Sequence, residues 1–320
     1  MTGYALRRTL QAVPLLLAVL LITFALIEFA PGDPIVALAG ESGDAAYYAE
    51  MRTRFGLDRP APERLAAYLS NAVQGDLGYS YRLQRPALLA VLERLPATLL
   101  LMLPALILAA LFGVAAGSAG ARRHDTTADA VVSGASLLGQ ALPVFWTAQL
   151  LVLAFAYQLG WFPVQGMRNL RLDAQGARAW FDVAHHMVLP VAALTLQYAA
   201  PIARVARASL VDVLHRPYLQ TALAKGLSSR QVFVRHALRT GLLPVVTVVG
   251  SQLAFLVSGA VLVETVFAWP GVGRLLLAAM LARDLPVVTA TMVLLGVAVV
   301  FANLVVDLFY AALDPRIRHA

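Results

Sequence analysis

Six stretches of this chain contain no aspartate, glutamate, lysine or arginine: residues 9–27, 95–121, 130–167, 183–203, 240–263 and 285–306. Each is near or above the roughly 20 residues a helix needs to cross a bilayer. A backbone surrounded by lipid must satisfy its own hydrogen bonds, so uncharged runs of this length fold as helices. Composition agrees, because 60% hydrophobic and 13% charged residues with a mean hydropathy of +0.73 do not describe a soluble domain of 320 residues. The expectation is an all-α polytopic membrane protein with transmembrane helices over 10–29, 95–119, 130–157, 185–206, 240–263 and 286–310. In the longest run, Gly160, Trp161 and Pro163 place the helix end near Tyr157, with an interfacial aromatic segment after it. The first run follows Arg7 and Arg8 as a secretory signal would. It exceeds a typical signal core, and residues 30–34 offer no small-x-small cleavage site, so it reads as a retained helix.

An even number of spans puts both termini on one side, and the basic residues of the short connections choose that side. Arg7, Arg8, Arg122, Arg123, Arg316 and Arg318 fall with the basic stretch near residue 230, against only Asp125, Asp129, Asp212 and Asp314. That face is expected to be cytoplasmic. Arg168, Arg171, Arg178, Arg274 and Arg283 lie on the other side, together with a longer extracytoplasmic segment over 30–94. The formal charge of +7 therefore reflects topology, and basic residues scattered around spans do not make a nucleic-acid surface. Zero cysteines exclude disulfides and thiolate metal sites.

Between the fourth and fifth runs lies the polar segment 208–239, whose core YLQTALAKGLSSRQVFVRHALRTGLLP covers residues 218–244. Leu219, Ala222 and Leu223 stand at i, i+3 and i+4, one face of a short helix. Gly226 then supplies the backbone freedom that ends a helix, in a left-handed conformation. Ser228 stands three residues before Gln231, the spacing of a capping box that opens a second helix carrying Arg230, Arg235 and Arg239. A basic helical hairpin between apolar spans needs a soluble partner.

This hairpin resembles the EAA loop of ABC-importer permeases, the cytoplasmic segment that docks on the ATPase. Gln220, Thr221 and Ala222 stand at the Glu-Ala-Ala positions, so the acidic residue is absent, and Gly226 stands at the glycine position. The form is similar to that of dipeptide, oligopeptide and nickel permeases. Further likeness to that family runs along the chain: Ala30-Pro31-Gly32-Asp33-Pro34, Gly75-Asp76-Leu77-Gly78, Arg94-Leu95-Pro96-Ala97-Thr98, Leu142-Pro143-Val144-Phe145-Trp146, the stretch from Glu264 to Arg274, and Asp314-Pro315-Arg316-Ile317-Arg318. These look like the B-type permease subunit of dipeptide importers. The resemblance implies a type I ABC-importer permease fold with a cytoplasmic coupling hairpin in a bacterial cytoplasmic (inner) membrane. It also implies a second homologous permease subunit, two ATPase subunits that hold ATP and Mg, and an extracytoplasmic solute-binding protein. The ATPase-coupling residues it implies are Leu219, Thr221, Ala222, Leu223, Lys225, Gly226 and Leu227.

The residues agree with a subunit that does no chemistry of its own. No Gly-x-x-x-x-Gly-Lys-Ser/Thr loop is present, and Gly271-x-Gly273 lacks the βαβ context of a nucleotide fingerprint. An intramembrane enzyme would need a nucleophile-base constellation, and neither Gly-x-Ser-x-Gly nor His-Glu-x-x-His occurs. An ion-coupled secondary transporter would show internal repeats and midplane charges, and neither is evident. The chain is expected to bind no cofactor and no metal: His185 and His186 are adjacent and cannot share a helical face, and His124, His215, His236 and His319 are scattered. Glu28, Glu264 and Asp307 lie at span ends, where a structural role competes with a functional one, and Asn303 with Asp307 has the spacing of a shared polar contact. Gln140, Gln149, Gln197 and Gln252 are the polar candidates for a translocation path, with interhelical hydrogen bonding the competing role. Di- or oligopeptides are the expected substrate, with nickel or another small solute the alternative.

Overall fold

The computed structural model describes residues 2–29, 44–54, 58–80, 82–169 and 175–313. The motifs at 30–34 and 314–318 lie outside these residues. So do the side chains of 253–259 and of Asp307.

The fold is helical. It begins with α1 (Thr2–Glu28), followed by two short helices, α2 (Ala45–Arg54) and α3 (Ala61–Val73). A two-residue ribbon pairs Tyr79 with Pro86 and Ser80 with Arg85, and leads into α4 (Ala87–Leu92). Then come α5 (Leu95–Arg122), α6 (Thr127–Ala141) and α7, which starts as Val144–Leu151 and widens into a π-helical Val152–Gln158. The long α8 (Ala177–Leu214) passes into α9 (Pro217–Ala224). After it, α10 begins as Ser229–Val232, widens through Phe233–Ala237 and ends as Leu238–Gly241. Last are α11 (Leu243–Val266), α12 (Val272–Leu281) and α13 (Leu285–Leu313).

Three helical segments are long and apolar enough to cross a membrane: Ala87–Arg122, Ala177–Leu214 and Leu285–Val306. Two bent pairs, Thr127–Ala141 with Val144–Gln158 and Ser229–Gly241 with Leu243–Gln252, raise the number to five, and Val13–Leu26 is a shorter apolar helix. The run expected to form one span over 130–157 is thus broken, with a bend of 102° at Leu142-Pro143. Pro143 supplies the reason: it disfavours helical backbone at the residue before it, and Leu142 is extended at ψ 127°. Not every proline interrupts. Pro244 sits in the first turn of α11, where no backbone donor is lost, and α8 runs through Pro190 and Pro201.

The centre of the fold is the contact between α5 and α8. A Cβ added at Gly117 would lie 2.5 Å from the Ala203 carbonyl oxygen, and one at Gly113 would lie 2.7 Å from Ile202 Cγ2. Glycines one helical turn apart let the two backbones approach closely, as small-residue stripes do in membranes. Around this pair a core forms from Leu101, Ala105, Leu194, Tyr198 and Ile202, reached from α11 by Val245 and Val263. At one end, the segment before α5 packs on α12 and α13 through Leu77, Ala87, Val91, Val272 and Val287. Ser80 donates to Asp284 across this contact, and Arg64 of α3 pairs with Glu28 of α1. At the other end lies the polar hairpin.

Candidate functional site

The hairpin has a core of its own. Leu219, Val232, Phe233 and Ala237 close over Leu210 and Val213 of α8 and Ala121 of α5, with Ala222 and Leu227 packed at the margin. The Arg122 guanidinium lies 5.2 Å from the centre of the Phe233 ring, a cation-π contact that ties the end of α5 to α10. Arg216 opens α9, with Pro217 in the first turn. At the other end the Gly226 N–H donates to the Leu223 carbonyl at 2.9 Å and the Leu227 N–H to that of Ala222 at 3.4 Å, a Schellman pattern. Gly226 has φ +86°, as its place in the sequence required. Ser228 and Gln231 form the capping box in both directions.

The structure adds two details to this segment. The apolar face of α9 is split: Leu219 is 2% exposed and Ala222 half-buried, whereas Leu223 is 46% exposed. Leu223 lies about 40° around the helix from Leu219 on the side away from Ala222, so it sits at the edge of the buried stripe. The second helix contains a π-helical turn and is followed by a 49° bend before α11. Of the coupling candidates, Thr221, Leu223, Lys225 and Gly226 are exposed, while Leu219, Ala222 and Leu227 support them from beneath.

The four glutamines differ in exposure. Gln140 and Gln149 are exposed, and Gln197 and Gln252 are half-buried. Gln149 lines a groove of about 370 Å³ with Val152, Leu153, Tyr157, Val164 and Val266, beside the π-helical part of α7. Asn303 is exposed. The His185 ring donates through Nε2 to the Trp161 carbonyl and the His186 ring through Nδ1 to that of Asp182, so each imidazole has a local partner.

Two polar constellations join residues far apart in the sequence. Glu264 is fully buried. Its carboxylate accepts from the Thr98 hydroxyl at 2.6 Å and from the Arg274 N–H at 2.9 Å, while Thr98 accepts from the Val272 N–H at 2.8 Å. The Trp269 indole donates to the Ala97 carbonyl at 2.8 Å, so the Glu264 to Arg274 turn is stapled to the start of α5. The second is Asp129, which receives both the Nε and Nη2 donors of Arg207 and also the Asp125 N–H. Among the described residues His124, Asp125 and Asp129 lie within metal-ligand reach of one another, but both Asp129 oxygens are already engaged by Arg207. The clue for Asp129 was its place at the opening of an otherwise uncharged run, three residues after Thr126, whose hydroxyl caps α6.

The comparisons with known proteins cover the whole length. The family described as binding-protein-dependent transport system inner membrane component matches residues 109–319, and the N-terminal part of the binding-protein-dependent transport system membrane component matches residues 1–102. The chain is 36% identical over 320 residues to the oligopeptide transport system permease protein AppB of Bacillus subtilis, covering 100% of both. It is 38% identical over 334 residues to the di/tripeptide transport system permease protein DppB of Pseudomonas aeruginosa, covering 100% of this chain and 99% of that one. A glutathione transport system permease protein, GsiC of Escherichia coli, is 38% identical over 319 residues, covering 100% of both. Apolar helices of spanning length and a match of this extent lead to one conclusion: the chain is a multi-pass membrane protein that belongs to the family of binding-protein-dependent transport system inner membrane components.

Proposed function

We propose that this chain is a non-catalytic permease subunit of an ATP-driven importer of di- or oligopeptides. It crosses the bacterial inner membrane six times with both termini in the cytoplasm. It pairs with a second homologous permease, receives substrate from an extracytoplasmic binding protein, and is driven by two ATPase subunits that carry ATP and Mg. The observation that supports this reading best is the division within the hairpin. A compact apolar core holds it against α5 and α8, while Thr221, Leu223, Lys225 and Gly226 stand outside with no partner among the described residues to cover Leu223. An exposed leucine at the tip of a rigid polar hairpin fits a groove on a soluble protein. Peptide is favoured over nickel by the names of the relatives, which are oligopeptide, di/tripeptide and glutathione permeases. The groove beside Gln149 and Tyr157 belongs to the proposed path, and Gln140, Gln197 and Gln252 are its other proposed polar residues, outside that groove.

The test is uptake into proteoliposomes that hold this chain, its partner permease and the ATPases, with the binding protein added outside. Labelled dipeptides and oligopeptides are expected to accumulate only with ATP and binding protein. Accumulation driven by an ion gradient without ATP, or of nickel complexes but not peptides, would overturn the reading. Reporter fusions test the topology separately: after Gly43 and Gln175 they should be extracytoplasmic, and at His124, Ser229 and Ala320 cytoplasmic. A reporter at Ser229 found outside would place the hairpin on the side without ATP.

A further inference from the structure

We propose that the ion pair between the buried Asp129 of α6 and the half-buried Arg207 of α8 is the positioning contact through which movement of the hairpin reaches the broken α6–α7 unit. This rests on the hairpin being the ATPase contact. Arg207 lies on the last part of α8, which ends at Leu214, and α8 passes into α9 through a single turn in which the Arg216 N–H donates to Val213 and the Leu219 N–H to Arg216. Displacement of the hairpin therefore displaces Arg207 with it.

Whether α6 moves with Arg207 depends on how that helix is held. Asp129 and Ser136 are its only buried side chains among the described residues, and Ser136 bonds to the Val132 carbonyl of its own helix. Elsewhere α6 meets α8 through small groups, such as Gly139, where an added Cβ would lie 3.2 Å from Ala200 Cβ. Contacts of that kind permit sliding. The guanidinium fork on both carboxylate oxygens does not, because two parallel charged bonds fix direction as well as distance. The surroundings are built for the pair. An added Cβ at Gly120 of α5 would lie 3.1 Å from Asp129 Oδ1 and 3.4 Å from Arg207 Cδ, and Asp129 is 3% exposed. The Asp125 N–H also donates to Asp129, so the α5–α6 turn is drawn into the same clamp. Beyond the 102° bend, α7 carries Gln149 and the wall of the groove. A pull on the hairpin thus has a polar, directional route to the proposed path.

The experiment uses the complete importer in proteoliposomes and reads peptide transported per ATP hydrolysed, normalised to assembled complex. Asp129→Asn and Arg207→Gln are each expected to lower that ratio by roughly fivefold or more, the scale on which one coupled contact acts. The double substitution should be no worse than either single one, because one contact is lost only once. Transport and ATP hydrolysis falling together, with the ratio unchanged, would reduce the pair to a structural contact and overturn the proposal. A second arm is independent of yield. The chain has no cysteine, so Asp129→Cys with Arg207→Cys can be joined by a short bifunctional thiol reagent and compared with itself before joining. Joining should restore the ratio. No change, or loss of transport, would overturn the proposal. Leu223→Asp in the same assay separates the two readings: if it leaves receptor-stimulated ATP hydrolysis intact, the hairpin reading fails. If it abolishes stimulation while the joined and unjoined pair behave alike, only the ion-pair proposal fails.

Discussion

The hairpin of α9 and α10 and the turn from Glu264 to Arg274 are both compact connections at helix ends, and they are built in opposite ways. The hairpin keeps its apolar core underneath and leaves Leu223, Lys225 and Gly226 outside, so its order is local and its outer face is free. The turn is held from within: Phe267 and Trp269 are buried and the Glu264 oxygens are taken up by Thr98 and the backbone of Arg274, with Thr265 and Arg274 exposed at its edge. A connection built the first way can change partner without unfolding. One built the second way can only hold or break. On the proposed reading, the first is suited to transmit force and the second to anchor it.

The largest expected effect lies in the turn. A Cβ at Gly271 would come 2.0 Å from Glu264 Oε1, far inside contact distance, so Gly271→Val must expel the carboxylate from its donors. Overpacking costs about 1–3 kcal/mol, and a buried acceptor left without partners costs about 1–3 kcal/mol more. The prediction is a strong loss of folded permease in detergent, measured by size-exclusion yield and thermal midpoint. Glu264→Gln, which keeps the shape and one acceptor, should lose less. A Gly271→Val protein as stable as the parent would show that the turn is not an anchor.

Substitutions in the hairpin should instead spare folding and remove function. At Gly226 an added Cβ meets nothing within 4 Å, so Gly226→Val suffers only from φ +86°. That strain is of order 1–3 kcal/mol, confined to a hairpin outside the apolar spans. Leu223→Asp places a charge on the exposed apolar position without touching the hairpin core. Both should insert normally and impair receptor-stimulated ATP hydrolysis per inserted complex. Wild-type stimulation in both would show that this hairpin does not carry the power stroke, and the contrast with the buried turn would lose its functional meaning.

The same contrast explains what could be read in the sequence. The hairpin was legible because its determinants sit within a few residues of one another: the glycine that must turn left-handed, the Ser228 and Gln231 box, and the i, i+3, i+4 leucines and alanine. Only how far the buried stripe reaches toward Leu223 depended on where α8 lies. The apolar runs gave helices for the same local reason. Illegible were the contacts that join distant positions, Thr98 with Glu264 and Asp129 with Arg207. Nothing in residue spacing pairs a threonine at the start of one helix with a glutamate at the end of another. The break at Leu142-Pro143 was half legible: proline marks a bend, but its 102° size depends on the packing of α6 and α7 on α8.

The smallest effects belong to the exposed side of α10, and they sharpen the boundary of the proposed docking face. Ser228→Ala removes a cap that both accepts from the Gln231 N–H and is answered by the Gln231 side chain. Such a loss is worth about 0.5–2 kcal/mol in general. Here Val232, Phe233 and Ala237 hold the helix in the hairpin core, so only its first turn should fray. Faster hydrogen exchange over residues 228–232, with receptor-stimulated ATP hydrolysis within about twofold of the parent, is the expected pair of results. Arg230→Gln should do less still. The side chain is exposed, and surface substitutions of this kind stay within about 0.5 kcal/mol. If it nonetheless depresses stimulated ATP hydrolysis as far as Leu223→Asp does, the contact extends onto α10 and depends on charge. The outer face of the hairpin would then be a basic surface recognised by acidic groups of the ATPase, and Leu223 would be one contact within it.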